Sequence, residues 1–265
     1  MLNLIHAEIY KLRKSTSIKI CFLLSMASAI ALICISHNIA VGNLSTDISG
    51  SASGLTEIVI VSLLGSLMGG ILVGSDFETK TIHASIAGGH GRIAVVTSKV
   101  LVYIMIVALL LLPYAITTIV AVCTGADFAT PFVASTFIGI LSDEAGAAVT
   151  SGTLCKIIAV SLVTMMVDAA RLSVCIPIAF KIRKPVAVTT IGFAFSALID
   201  LLLRVLRKIP LISDIIAITP FHKNFLILTM DTSAGTLWKA VICSTVFIIV
   251  IIALTFSIFR KAEIK

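Results

Sequence analysis

The sequence predicts an all-α, polytopic membrane protein with six transmembrane helices, and three observations lead there. A hydrocarbon crossing takes about 20 mostly apolar residues, and apolar runs of that order recur six times, over residues 17–36, 57–74, 96–122, 157–180, 186–203 and 238–259. Hydrophobic residues make up 58% of the 265-residue chain and charged ones only 12%, far from the balance of a soluble domain. Lysines and arginines gather in alternate gaps between the runs, the pattern of cytoplasmic loops. No stretch has the length and polarity of a nucleotide-binding or catalytic module, so residues 1–265 read as a single membrane domain.

Ahead of the first run, Leu2, Ile5, Ile9 and Leu12 recur at helical spacing, while Asn3, Glu8, Lys11, Arg13 and Lys14 fall largely elsewhere on the wheel. This predicts an amphipathic helix lying in the membrane interface, either as a lipid anchor or as a docking surface for a soluble partner. The first run follows Lys11, Arg13, Lys14 and Lys19 as a secretory signal would, but it lacks a small-x-small cleavage site and is expected to be retained. In the second run, Gly65 and Gly69, and again Gly70 and Gly74, place small residues one turn apart and predict close helix packing, within the chain or against a second copy.

The segment from Gly74 to Arg92 is the most specific in the chain. Asp76 and Glu78 are expected to open a short helix, where they offset its positive end, and Gly88, Gly89 and Gly91 to stop it. Phe77, Ile82 and Ile86 give that helix an apolar edge, and its position between two membrane crossings suits a lever. Pro113 and Pro177 are expected to kink the third and fourth spans. Deep in the fourth span, Asp168 and Arg171 stand three apart on one helical face. Arg171 is ten residues from Lys181, about 15 Å at helical rise and too far to reach the surface comfortably. Charges at such depth pair with one another or face a polar cavity, so the two are expected to form a structural ion pair or to line a substrate path or gate.

The loops orient the bundle. The gap 37–56 has no Lys or Arg, and the gap 123–156 sets Asp127, Asp143 and Glu144 against Lys156 alone. By contrast Lys80 and Arg92, then Lys181, Arg183 and Lys184, and finally Arg260, Lys261 and Lys265 mark the other side, so both termini are expected in the cytoplasm. The segment 204–237 resists the scheme, since Arg204, Arg207, Lys208 and Lys223 fall on the predicted external side. Its apolar stretches 209–218 and 221–230 are too short to cross and read as re-entrant or interfacial helices bounded by Pro210 and Pro220. Its basic cluster suits headgroup anchoring or an anionic substrate. The net charge of +7 is read as topology determinants and headgroup contacts rather than nucleic-acid affinity. Cys21, Cys34, Cys175 and Cys243 lie in or at the ends of runs, no CxxC occurs, and they read as small packing residues.

With these motifs the chain resembles the permease subunits of ABC-2 type ATP-binding cassette exporters. The resemblance runs through the basic N-terminal helix ending in Tyr10-Lys11-Leu12-Arg13-Lys14-Ser15, the six runs, and Asp76-Phe77-Glu78-Thr79-Lys80-Thr81 after the second run. It continues through Arg92, Lys99 and the closing Phe259-Arg260-Lys261. It implies that the segment from Asp76 to Ala87 is a cytoplasmic coupling helix seated in a groove of a dimeric ATPase, with the N-terminal helix alongside. It also implies a second permease, identical or homologous, in a bacterial cell membrane, with ATP and Mg held by the partner ATPase and no cofactor by this chain. The chain has no Walker A pattern, as expected where the ATPase is a separate chain. It lacks the large extracellular domain of the family's bigger members. Among relatives of this size and architecture, export of antimicrobial or amphipathic peptides is a common role.

Two other functions compete with transport by such a complex. An intramembrane enzyme needs paired carboxylates or a His-Glu-x-x-His metal site; His83 and His90 lack any such motif, and no catalytic or metal-ligating set is expected. An ATP-independent, ion-coupled carrier using Asp168 and Arg171 is the alternative, although the first and last three runs show no inverted repeat.

Overall fold

The structure, a computed structural model, describes residues 2–45, 53–129, 135–143, 150–206, 209, 214 and 216–261. Its elements are helices α1 (Leu2–Lys14), α2 (Thr16–Ala40), α3 (Glu57–Gly69), α4 (Ser75–Glu78), α5 (Thr81–Ala87), α6 (Arg92–Thr124), α7 (Thr136–Asp143), α8 (Ser151–Leu172), α9 (Cys175–Ile182), α10 (Pro185–Leu206), α11 (Lys223–Leu226) and α12 (Ala234–Lys261). There is no strand among the described residues. Six rods are long and apolar enough to cross a membrane: Thr16–Ala40, Glu57–Glu78, Arg92–Cys123, Ser151–Ile182, Pro185–Leu203 and Ala234–Arg260. The protein is therefore a multi-pass, all-α membrane protein. Each rod extends beyond its apolar run, because a helix needs backbone continuity rather than apolar side chains once it leaves the hydrocarbon.

The third span is the core. It packs against the first, second, fourth and sixth spans and against α1, and Val96, Val100, Tyr103, Val107, Leu110 and Leu111 are buried along it. Lipid tails are as apolar as leucine, so such a bundle is held by close fit and by hydrogen bonds rather than by escape from water. Tyr103 donates to the carbonyl of Gly65 at 3.1 Å and Tyr114 to that of Leu55 at 2.9 Å, which ties the third span to the second and its entry turn. The fifth and sixth spans are peripheral and turn Leu198, Leu201, Ile242, Val246 and Ile249 outward.

The glycines of the second span pack within the chain. A methyl group on Gly65 or Gly69 would meet side chains of Leu172, Tyr103 and Cys175 at 3.2–3.3 Å, whereas on Gly70 or Gly74 it would meet the backbone of Pro185 at 2.6 and 2.9 Å. A π-helical turn, Gly70–Gly74, begins and ends on the second pair and sets it against the start of the fifth span. Tyr103 and Gly192, the latter close against Cys175 and Ser66, complete this packing and were not apparent in the sequence.

The two prolines behave differently. The third span runs unbroken through Pro113, so the kink expected there takes no interruption of the helix. The fourth span is interrupted at Ser173 and Val174, where Pro177 removes the amide that would bond the Ser173 carbonyl; Ile176 N–H takes that carbonyl instead at 3.0 Å. At the end opposite the N-terminal helix, α7 lies inside what the sequence presents as a polar gap. It buries Phe137, Ile138, Ile140 and Leu141, and Phe137 stacks on Tyr114 at 6.2 Å. The chain after Pro220 folds back to the same region: Leu228 and Met230 pack with Ile140, Leu141, Ile157 and Val160. Phe225 reaches Val167, about halfway along the fourth span, and Ala240. Arg207, Lys208, Pro210 and residues 211–213 and 215, like Glu144 and Lys265, lie outside the described residues.

Candidate functional site

At the basic end of the bundle, four charged side chains from three segments meet. Lys99, at the start of the third span, is 2% exposed and donates to Glu8 at 2.6 Å, to the carbonyl of Leu72 at 3.0 Å and to Asp76. Asp76 is 1% exposed and also pairs with Lys11. The i, i+4 rows of α1 explain the arrangement: Leu4, Ile5, Ile9 and Leu12 pack on the core, and Glu8 shares their face. Glu8 therefore points inward, against the expectation that the polar residues of α1 face away, because a buried lysine needs a carboxylate. Lys11 keeps about half its side chain exposed while reaching Asp76. Arg13 is exposed at the rim of an apolar groove between α1, α2 and α6.

This cluster corrects the expectation for Asp76 and Glu78. The helix that follows the second span opens at Thr81, not at Asp76. Asp76 continues the second span, and its carboxylate is taken by Lys11 and Lys99 rather than by a helix end. Lys80 holds a left-handed backbone (φ 58°) between α4 and α5, which turns the chain sharply, and Gly89 (φ 86°) ends the segment as expected. Asp76 and Ile82 are buried, Phe77 and Ile86 are partly covered, and Glu78, Thr79, Lys80 and Thr81 are exposed. Thr79 and Thr81 share a hydroxyl contact of 2.8 Å across the turn. The segment thus has an anchored inner face and an open outer one.

Beside the ion cluster lies an aromatic junction. Phe77, Phe180 and Phe259, from the ends of the second, fourth and sixth spans, meet edge to face at centroid distances of 5.6, 6.2 and 5.1 Å. Arg183, left-handed at φ 61° in the two-residue turn between the fourth and fifth spans, covers Phe77 at 5.0 Å. Arg92 covers Phe259 at 5.7 Å and donates to the carbonyls of Phe259 and Arg260 at 3.3 and 2.9 Å, closing the end of the sixth span. The phenylalanines are scattered through the sequence, and nothing in their spacing announces that they meet.

A second polar place lies deeper, between the second and fourth spans. Asp168 and Arg171 pair at 3.6 Å, and the guanidinium lies over the Phe221 ring at 5.4 Å. They border a cavity of about 20 Å³ together with Glu57, Ser62, Phe195 and Ser196. Glu57 is 1% exposed, and one of its oxygens, Oε1, accepts from the Phe137 amide in the first turn of α7 at 3.4 Å. An acidic residue at the head of an apolar run is ordinary at a membrane boundary, so nothing in the sequence singles out Glu57. Its burial follows from α7 and the returning chain, which cover the head of the second span. The described residues hold no group of three or more His, Cys, Asp or Glu placed to bind a metal. Comparison with protein-family models finds no match, and comparison with curated proteins finds none.

Proposed function

We propose that this chain is the membrane-spanning permease subunit of an ATP-binding cassette exporter, driven by a separate dimeric ATPase and paired with a second permease. The observation that carries the reading is the segment after the second span: a sharply turned pair of short helices whose inner face is locked by Asp76 and Ile82 and whose outer face offers Glu78, Thr79, Lys80 and Thr81. A lever needs both properties, a rigid hold on the spans it moves and a free face for whatever pushes it. The ion cluster supplies the hold on α1 and the third span, and the aromatic junction extends it to the fourth and sixth. On this reading the basic end is cytoplasmic, ATP and Mg belong to the partner, and the cargo class is an antimicrobial or amphipathic peptide, as the sequence resemblance implies. The protein itself is then no enzyme.

Purification in mild detergent with mass spectrometry of co-eluting proteins tests the proposal. A stoichiometric soluble ATPase is expected, and a clean single species would count against it. Because Glu78 is exposed, Glu78→Lys should release the ATPase or abolish its stimulation while membrane insertion and thermal stability stay unchanged. Normal co-purification and stimulation would refute the assignment. A second reading, an ion-coupled carrier using Asp168 and Arg171, is favoured by their place on the cavity wall; transport that persists without any ATPase would select it.

A further inference from the structure

The groove between α1, α2 and α6 is apolar along its length and basic at its mouth. Leu12 of α1, Phe22 and Leu23 of α2, and Met105 and Leu109 of α6 enclose a space of about 730 Å³ that ends at Arg13 and Lys19. Beside that mouth lies a second recess, walled by Tyr10, Arg13, Lys14 and Lys19, so three cations and a phenol converge where the apolar channel opens. The chain is extended at Ser15, between the last residue of α1, Lys14, and the first of α2, Thr16, and this bend brings Lys19 back beside Arg13. All three cations are exposed. Lys14 lies over the Tyr10 ring at 4.9 Å, and none of the three joins an ion pair among the described residues. The carboxylates nearest in the chain and fold, Glu8 and Asp76, are taken by Lys99 and Lys11. The rule that gathers Lys and Arg on one side of a membrane accounts for basic residues at this end of the bundle. It does not account for their meeting at the mouth of one groove, with no carboxylate among the described residues that wall it.

We propose that this groove is a binding site for one anionic phospholipid, with an acyl chain along α2 and α6 and the phosphate at Arg13, Lys14 and Lys19. The dimensions suit a chain. From Val102 to Leu109 the groove follows α6 for about 10 Å at helical rise, most of the roughly 15 Å that one leaflet contributes to the hydrocarbon core. Leu23, Met105 and Leu109 are exposed, so the groove lies open sideways to the bilayer and a lipid enters without leaving it. The mouth selects the headgroup. A guanidinium offers parallel N–H donors to two phosphate oxygens, and the ammonium groups of Lys14 and Lys19 add point charges. A zwitterionic lipid carries its own cation into this cluster and is repelled there, whereas an anionic one relieves the mutual repulsion of the three side chains. Basic pockets between membrane helices hold anionic headgroups in this way. The bound lipid ties α1 to the first and third spans at the end where the ion cluster also holds it. The site does not rest on the transport reading, because occupancy belongs to the purified chain with no ATPase present.

Native mass spectrometry of the purified chain reads the occupant directly. The protein is stripped of lipid in detergent and given equimolar dioleoylphosphatidylglycerol and dioleoylphosphatidylcholine at low ionic strength, where surface charges are least screened. One phosphatidylglycerol is expected to be retained with a preference of roughly tenfold over phosphatidylcholine. The variant Arg13→Gln/Lys14→Gln/Lys19→Gln should take both lipids alike. Lys181→Gln/Lys184→Gln, which removes two exposed cations that do not wall the groove, should keep the preference. Thermal unfolding separates the whole lipid from its headgroup, since a ligand that binds the folded state raises the melting temperature. A rise of a few degrees is expected with phosphatidylglycerol and none with glycerol 3-phosphate at the same concentration. Equal retention of the two lipids by the native chain, as for a groove filled by bulk lipid or covered by a second copy, would overturn the site. Loss of the preference in the Lys181/Lys184 variant, or a full response to glycerol 3-phosphate, would do the same. Should the triple variant not fold, a phosphatidylglycerol with a diazirine in its acyl chain gives the answer on the native chain. Cross-links within residues 18–23 and 102–109 are expected, and cross-links confined to other segments would overturn the proposal.

Discussion

Lys99 is the side chain on which the basic end depends, because it is buried with two carboxylates and a carbonyl as its partners. Removing one member of a buried ionic group leaves the rest uncompensated, at a cost of about 3–5 kcal/mol. Lys99→Ala should therefore lower the melting temperature strongly, and Lys99→Met combined with Asp76→Asn and Glu8→Gln should recover part of the loss; a single and a triple variant of equal stability would contradict this. The same logic applies at greater depth. Arg171→Ala strips Asp168 of its partner and Phe221 of its cover, so it should damage folding or transport more than Asp168→Asn with Arg171→Gln. Equal damage would remove the pairing argument. The spacing of Asp168 and Arg171 made that pair legible in the sequence, since i, i+3 neighbours on a helix meet whatever surrounds them. Glu57 was illegible for the opposite reason: its hydrogen bond comes from residue 137 and its cavity neighbours from the fourth span, and no local pattern encodes them.

Among the elements, the second span shows how alike sequence motifs acquire unlike consequences. Its two glycine pairs have the same spacing, yet one faces flexible side chains and the other a backbone. Gly70→Ala must displace the Pro185 carbonyl and should cost about 1–3 kcal/mol, in the range of overpacked cores. Gly65→Ala needs only a small shift of the Leu172 side chain and should be far milder. Thermal unfolding of the two variants checks the order, and a reversal would mean that the π-helical turn does not set Gly70 against the fifth span. The existence of all six rods could be read in advance because lipid demands a long apolar run for each crossing. The eight residues of α7 could not, because a helix shorter than a crossing carries no such demand and is held by distant positions, among them Glu57, Tyr114, the fourth span and the returning chain. The turn at Lys80 escaped for a related reason, since a left-handed lysine follows from the pull of Asp76 on one side and the burial of Ile82 on the other.

For the molecule as a whole, two ends are built on different chemistry. One gathers α1, the ion cluster and the aromatic junction; the other is closed by α7 and the chain after Pro220. The loop charges predict an orientation, and the native cysteines can report it. Cys123 and Cys155 are exposed at the end opposite α1, while Cys21 and Cys175 are buried. A membrane-impermeant maleimide added to intact cells should label the first two and leave the buried pair unmodified; labelling of Cys123 and Cys155 only after permeabilisation would invert the topology. The break at Ser173 and Val174 falls between these two ends, with Asp168 and Arg171 above it and Phe180 below. A continuous rod would transmit every displacement of one end to the other at full amplitude. A span broken at that point is built as a knee rather than a piston.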